Sequence, residues 1–184
     1  MQLNENLIDK CLAELRQNRA KFSLYQKYYN GEHDIIRNYA MQDSRSNMKV
    51  VCNFPKRFID EEISYVLANT VNYVSVEDDT ELIDAIDLNF SCWEKVHDIE
   101  LLKHALIFGK SYELNYINQD GEFRSGIYTP MNMLILEDDT VEKNVIMALH
   151  LYTKNKFDDT EYINVYMENR ILHFKIADGL KKTG

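Results

Sequence analysis

The sequence predicts an α+β fold in which N-terminal helices pack with antiparallel β-hairpins. Apolar residues recur at helical spacing through most of the first 110 positions, and alternation with period two takes over from Ser111. Helices come first and strands later, which is not the interleaved order of a parallel βαβ sheet. Only 6 Gly and 2 Pro interrupt 184 residues, so long regular elements and short turns are expected. These signals place a mainly helical part at 1–110, with one short strand near 71–76, and an antiparallel β-hairpin part at 111–184. The two are expected to form one compact domain.

The elements follow in order. Leu3, Leu7, Cys11 and Leu15 recur every four residues, and Phe22, Tyr25 and Tyr29 continue the stripe, as one long helix or two in tandem. Asn30-Gly31 stops it, because glycine takes up the left-handed conformation just past a helix end. Residues 37–50 are polar without a sustained period and read as a mobile loop. Asn53 is placed to cap a second helix, with Pro55 in its first turn and Ile59, Ile63, Val66 and Leu67 as its buried stripe. Residues 71–76 (VNYVSV) alternate like a short strand.

Asp79 or Thr80 opens a third helix carrying Leu82, Ile83 and Ile86. Ser91-x-x-Glu94 matches a capping box, so a fourth helix begins there, holds Trp93, Val96, Ile99, Leu102, Ala105 and Leu106, and stops at Gly109. Tyr112, Leu114 and Tyr116 then alternate, Asp120-Gly121 turns the chain, and residues 123–128 return as the second strand of a hairpin that Thr129-Pro130 ends. A short apolar run at 133–136 closes on the acidic turn Glu137-Asp138-Asp139. Val145, Met147, Leu149 and Leu151 alternate along a further strand, and residues 162–167 and 171–176 flank Glu168-Asn169 as a last hairpin.

Composition narrows the class of protein. Cys11, Cys52 and Cys92 are odd in number and far apart, which argues against a disulfide framework and fits a reducing compartment. The N-terminal residues lack the basic start and apolar run of a signal peptide, and no apolar run approaches the ~18 residues of a membrane span. A soluble, intracellular, acidic protein is expected, with no membrane partner. The formal net charge is -9, and residues 77–100 carry nine acidic side chains against Lys95 alone, whereas residues 1–60 carry ten basic and seven acidic ones. The acidic segment reads as a solvated helix face, or as a surface that repels phosphate.

Motifs that would carry chemistry fail on inspection. Phe108-Gly109-Lys110-Ser111 ends like a phosphate-binding loop, but the glycine required five positions earlier is His104. No carboxylate is followed two residues later by lysine, as a metal-dependent nuclease would need. Asp138-Asp139 could hold a divalent cation but reads better as a turn. His97 and His104 lie seven apart without a third ligand, and neither His33, His150 nor His173 completes a set. No G-x-S-x-G occurs, and Cys52 has no histidine at motif distance. Tyr25, Tyr28 and Tyr29 near Lys21 and Lys27 could stack on bases, pack on a neighbouring element, or mark a subunit interface. No catalytic, metal-ligating or cofactor-binding residue is therefore assigned, no cofactor is expected, and nucleic-acid contacts are unassigned.

The succession of local phrases is more informative. Tyr28-Tyr29-Asn30-Gly31-Glu32-His33-Asp34-Ile35 closes the first helix, and Asn53-Phe54-Pro55-Lys56-Arg57-Phe58-Ile59-Asp60 opens the second, followed by Val71-Asn72-Tyr73. Ala105-Leu106-Ile107-Phe108-Gly109-Lys110-Ser111-Tyr112-Glu113-Leu114 bridges helix to hairpin, then come Asp120-Gly121-Glu122, Thr129-Pro130 and Glu137-Asp138-Asp139-Thr140. This succession resembles the portal proteins of tailed bacteriophages, in the siphovirus group, from about residue 20 to the last residues.

The resemblance implies a structural, non-enzymatic virion protein. It would be a subunit of a homo-oligomeric ring, typically dodecameric, at one capsid vertex, through which DNA is packaged and ejected. Terminase, capsid and head-tail connector proteins would meet the ring, and DNA would pass without sequence-specific binding. The chain would reside in the virion, and in the host cytoplasm during assembly. It would correspond to the N-terminal part of the wing, the stem, clip, tunnel loop and crown coming later in the family, so it reads as a fragment of a longer chain. The hairpins at 111–128 and 162–176 would then form the wing's sheet layer. The helices at 54–68 and 92–108 would supply intersubunit contacts, and the acidic 77–100 segment would keep the particle from binding DNA. Two alternatives are a small protein-binding module of viral or mobile-element origin, and a hydrolase with a dispersed site.

Overall fold

A single amphipathic stripe explains how the first helix is placed. In the computed structural model, which describes residues 5–38, 50–69, 71–90, 93–176 and 180–182, helix α1 runs unbroken over Glu5–Tyr29. The gap in large apolar residues at 17–21 does not break it. The chain forms two compact units, one of Met1–Ser23 with Thr129–Gly184 and the other of Leu24–Tyr128. The compact units are thus not divided at residue 110, because α1 supplies its first five turns to the unit that holds the later strands.

In the first unit, strands β3 (Met133–Glu137), β4 (Val145–Thr153), β5 (Glu161–Met167), β6 (Arg170–Ile176) and β7 (Leu180–Lys182) form an antiparallel sheet in that order. Met147, Leu149 and Leu151 alternate along β4, Ile163 and Val165 along β5, and Phe174 lies on β6. All six are buried with Ile8, Cys11, Leu12 and Leu15 of α1. Each such side chain contributes about 1.5–3 kcal/mol by leaving water. The buried stripe is Ile8–Cys11–Leu12–Leu15, not the four-residue series expected: Leu7 only flanks the core, and Leu3 lies outside the described residues. A strict spacing of four drifts about 40° around a helix at each step, so the buried line must mix steps of three and four. Arg16 and Arg19 both reach Glu161 at the start of β5, the second at 3.7 Å.

The β3–β4 register slips between Leu136 and Glu137, a bulge the alternation did not disclose. The loop closing that hairpin is built on one carboxylate. Asp138 Oδ1 accepts from the Thr140 hydroxyl (2.6 Å), Thr140 N (3.2 Å) and Asn144 N (3.0 Å).

In the second unit, α1 ends in a C-terminal cap. Gly31 has φ 83°, Glu32 N donates to Lys27 O at 2.8 Å, and Gly31 N donates to Tyr28 O at 3.1 Å. A five-residue helix α2 (Asp34–Asn38) follows, where only the start of a loop was expected, and most of that expected loop lies outside the described residues. Helix α3 (Phe54–Val66) begins as foreseen, Asn53 Oδ1 accepting from Lys56 N at 3.2 Å. The same Asn53 donates through Nδ2 to Tyr29 O at 2.8 Å, tying the end of α1 to the start of α3. Of the stripe expected on α3, Ile63 is buried, Ile59 and Leu67 are half-buried, and Val66 is exposed.

Residues 71–76 are not a strand. They find no ladder partner among the described residues, and Val76 is 99% exposed. Alternation alone cannot make a strand without a neighbour to complete its hydrogen bonds. Helix α4 (Thr80–Phe90) starts at Asp79, whose Oδ1 accepts from Leu82 N at 3.0 Å. Helix α5 (Glu94–Phe108) is separate from α4, as expected, but its cap is Trp93 without a side-chain bond; Ser91 lies outside the described residues. It ends at Gly109 with φ 79°. Strands β1 (Tyr112–Ile117) and β2 (Phe123–Tyr128) then pair antiparallel around Gly121, φ 81°. They form a two-stranded sheet of their own, so the hairpins at 111–128 and 162–176 do not share one sheet. Helices followed by antiparallel strands make this an α+β fold.

Two substitutions test this architecture by urea denaturation. Leu149→Ala should cost about 2–5 kcal/mol by opening a cavity beneath α1. Asn53→Ala should cost about 1 kcal/mol for the lost cap, and somewhat more because the Tyr29 carbonyl loses its donor.

Candidate functional site

The residues weighed above as chemistry-bearing turn out to have structural work. Gly109 is the left-handed end of α5, and no Cβ-sized obstacle surrounds it, so it serves the helix end and not a phosphate. The Asp138 carboxylate is occupied by its own loop. The Thr140 hydroxyl first, then Asn144, hold its carboxyl below the usual range. Among the described residues, no group of three His, Cys, Asp or Glu converges as a metal site would require. His97 and His104 serve different neighbours. His104 stacks on Phe108 at 5.9 Å, and burial lowers its pKa.

His97 lies in an arrangement that sequence spacing did not reveal. It is buried on α5, with Trp93 edge-on at 5.1 Å, and its Nε2 lies 3.0 Å from Ser125 Oγ on β2. Ser125 in turn donates to Glu113 Oε1 on β1 at 2.7 Å, and Asp98 Oδ1 lies 3.5 Å from His97 Nδ1. Serine, histidine and two carboxylates thus meet, but their hydrogen-bond order is not that of a Ser-His-Asp triad. The Ser125 hydroxyl donates to the Glu113 carboxylate, so toward the imidazole its oxygen is an acceptor, and the serine-to-histidine proton path of a triad is not formed. The chain Glu113–Ser125–His97 fastens the hairpin to α5. Ser111 Oγ, donating to Leu101 O at 2.9 Å, does the same.

The tyrosines near the end of α1 are similarly engaged. Tyr29 is buried and donates to Asp60 Oδ1 at 3.1 Å, and Tyr28 meets His33 edge-on at 5.1 Å. Tyr29 is therefore not available to stack on a base. Tyr73 anchors the 71–76 segment, stacking on Phe90 at 5.8 Å and donating to Glu94 Oε1 at 2.6 Å. Phe90, Trp93 and Phe123 continue this aromatic cluster.

The candidate functional surface is apolar. Phe54, Phe58 and Tyr65 follow one face of α3 at i, i+4 and i+11, with Phe58 63% and Tyr65 84% exposed and the two phenylalanines stacked at 6.1 Å. The next face of the same helix is salt-bridged, Lys56 to Asp60 and Arg57 to Glu61 at 2.8 Å. An aromatic line beside a charged one is the anatomy of a protein interface, with an apolar centre and a polar rim. The i, i+4 spacing of Phe54 and Phe58 was the available signal.

A family model described as phage portal protein, SPP1 Gp6-like, matches residues 8–183. The chain belongs to that family. A curated relative, the portal protein of Bacillus phage SPP1, is 22% identical over 168 residues, covering 84% of this chain and 33% of the relative. The chain thus spans about a third of that portal protein's length. The match includes both compact units, together with the helix-to-hairpin junction at Gly109 and the loop at Asp138 on which the resemblance rested.

Hydrogen bonding to Glu94, then burial, pushes the Tyr73 phenol up to about 12. Because the folded value is raised, the stabilisation is present below the ordinary phenol range and is lost as pH rises through about 12. Ultraviolet titration of wild type against Tyr73→Phe should isolate this late ionisation, and Glu94→Gln should bring it back toward 10, the ordinary value.

Proposed function

We propose that this chain is the wing part of a phage portal subunit, working in a homo-oligomeric ring at the capsid vertex through which DNA is packaged and ejected. The observation that carries this reading is the family match across residues 8–183. The ring is dodecameric in this reading. Its partners are a second copy of the chain, the terminase, the capsid and the head-tail connector, with DNA passing through without sequence-specific binding. The protein belongs to the virion, and to the host cytoplasm during assembly. Among the described residues no helix is long and apolar enough to cross a membrane.

The role is structural, not enzymatic. The Glu113–Ser125–His97 order supports this, since it binds α5 to the hairpin and does not form the serine-to-histidine proton path of a triad. The exposed aromatic face of α3 supports an intersubunit role for that helix.

Native mass measurement by light scattering, with negative-stain imaging, tests the reading on the full-length product of the gene. Annular particles of about a dozen subunits are expected. A monomer or small oligomer at every concentration would overturn it. Phe58→Glu and Tyr65→Glu together should leave the fold intact, since both side chains are exposed, and should weaken assembly.

A further inference from the structure

We propose that neighbouring copies meet head to tail, the acidic face of α4 on one copy seating on a lysine patch at the β5–β7 end of the sheet on the next. The inference rests on the ring reading above and adds one complementary pair of surfaces to the α3 face already proposed.

Helix α4 lacks a cover. None of its residues is buried; Ile83, Ile86 and Phe90 are half-buried, whereas Leu82 is 53% and Leu88 78% exposed. Glu81, Asp84 and Leu88 share one face at i, i+3 and i+7, and Asp87 borders it. Among the described residues, none of Glu77, Asp78, Asp79, Glu81, Asp84 and Asp87 forms an ion pair with a basic side chain. They lie in the segment where nine acids face one lysine. A helix of this kind, apolar in part and acidic in part with both aspects in water, calls for a partner that is apolar and basic.

The first unit presents such a surface. Lys154 Nζ lies 4.7 Å from the centre of the Tyr162 ring, Tyr162 sits directly opposite Lys175 across β5–β6, and Lys175 sits opposite Lys181 across β6–β7. Two lysines facing each other across a sheet repel, so this row is held at a cost within one copy. Beside it, Lys156 Nζ lies 4.9 Å from the ring of Phe157, which is 85% exposed. No carboxylate pairs with Lys154, Lys156, Lys175 or Lys181 among the described residues. Asp158 lies within their field: hydrogen bonds from Thr160, then Lys175 and Lys154, hold its carboxyl down, and it offsets one of the four charges.

One chain therefore carries both halves of a complementary pair, each an exposed apolar side chain set among unpaired like charges. Two different complementary patches on one chain give a heterologous contact, and such a contact closes into a ring when its rotation permits. Charge complementarity also fixes the direction of assembly, because acid against acid and lysine against lysine are repelled.

Mixing tests this on the full-length product. One variant carries Glu81→Lys, Asp84→Lys and Asp87→Lys; the other carries Lys154→Glu, Lys156→Glu and Lys175→Glu. All six side chains are at the surface or half-exposed, and circular dichroism checks that both variants fold. Each variant alone should lose about a hundredfold or more in self-association. An equimolar mixture should restore annular particles, since one variant then offers two basic patches and the other two acidic ones.

Several results overturn the inference while leaving the ring reading intact. In one, wild type forms rings and each variant alone does so as well. In another, the mixture of folded variants fails to assemble, which places the pairing within a single copy. In a third, the acid-reversed variant assembles normally but retains DNA in a salt-sensitive way, which makes α4 a surface that repels DNA. Wild type that never assembles overturns both readings.

Discussion

The apolar face of the five-stranded sheet has to be covered, and the chain covers it with its own N-terminal helix. Met147, Leu149, Leu151, Ile163, Val165 and Phe174 present one continuous surface, and Ile8, Cys11, Leu12 and Leu15 close over it. An antiparallel sheet of this kind is stable with one face in water only if the other is buried. The hairpins of the first unit, the bulge in β4 and the Asp138 loop all presuppose that burial. The Arg16 and Arg19 contacts to Glu161 add direction more than energy, because exposed ion pairs are worth little.

The second unit is held differently, by polar side chains that each serve two elements. Asn53 caps α3 with its oxygen and grips the end of α1 with its nitrogen. A Cβ at Gly31 would come within 3.1 Å of that same nitrogen, so the left-handed turn and the clamp constrain one position twice. Ser125 links β1 to α5 in the same economical way. Such bonds define geometry while burying little surface, which fits a unit in which Phe54, Phe58 and Tyr65 of α3 and Leu82 and Leu88 of α4 stay in water.

Much of this was legible in the sequence wherever a local rule decides the outcome. Asn30-Gly31, Asn53 with Pro55, Gly109 and Asp120-Gly121 mark where elements start and stop because caps and turns are decided by residues close in sequence. Features that depend on distant partners were not legible. Residues 71–76 alternate like a strand, yet no neighbouring strand completes them. That the first hairpin stays apart from the five-stranded sheet, and that Ser125 meets His97 of α5, depend on tertiary packing. The slip at Leu136 is a backbone irregularity that alternation does not register. The exposed aromatic face of α3 was obscured for another reason: Phe54, Phe58 and Tyr65 have the same periodicity as a buried stripe, and periodicity does not say whether a stripe is covered.

The discontinuous first unit also sets a timetable during synthesis. Ribosomes add about 5–20 residues per second, so roughly ten to thirty seconds separate the appearance of Leu12 from that of Phe174. Through that interval the unit from Leu24 to Tyr128 emerges whole and can fold, while the apolar stripe of α1 waits without its sheet. The nascent chain therefore carries an exposed apolar stripe until β6 has been made, and chaperones have a defined segment to hold until then.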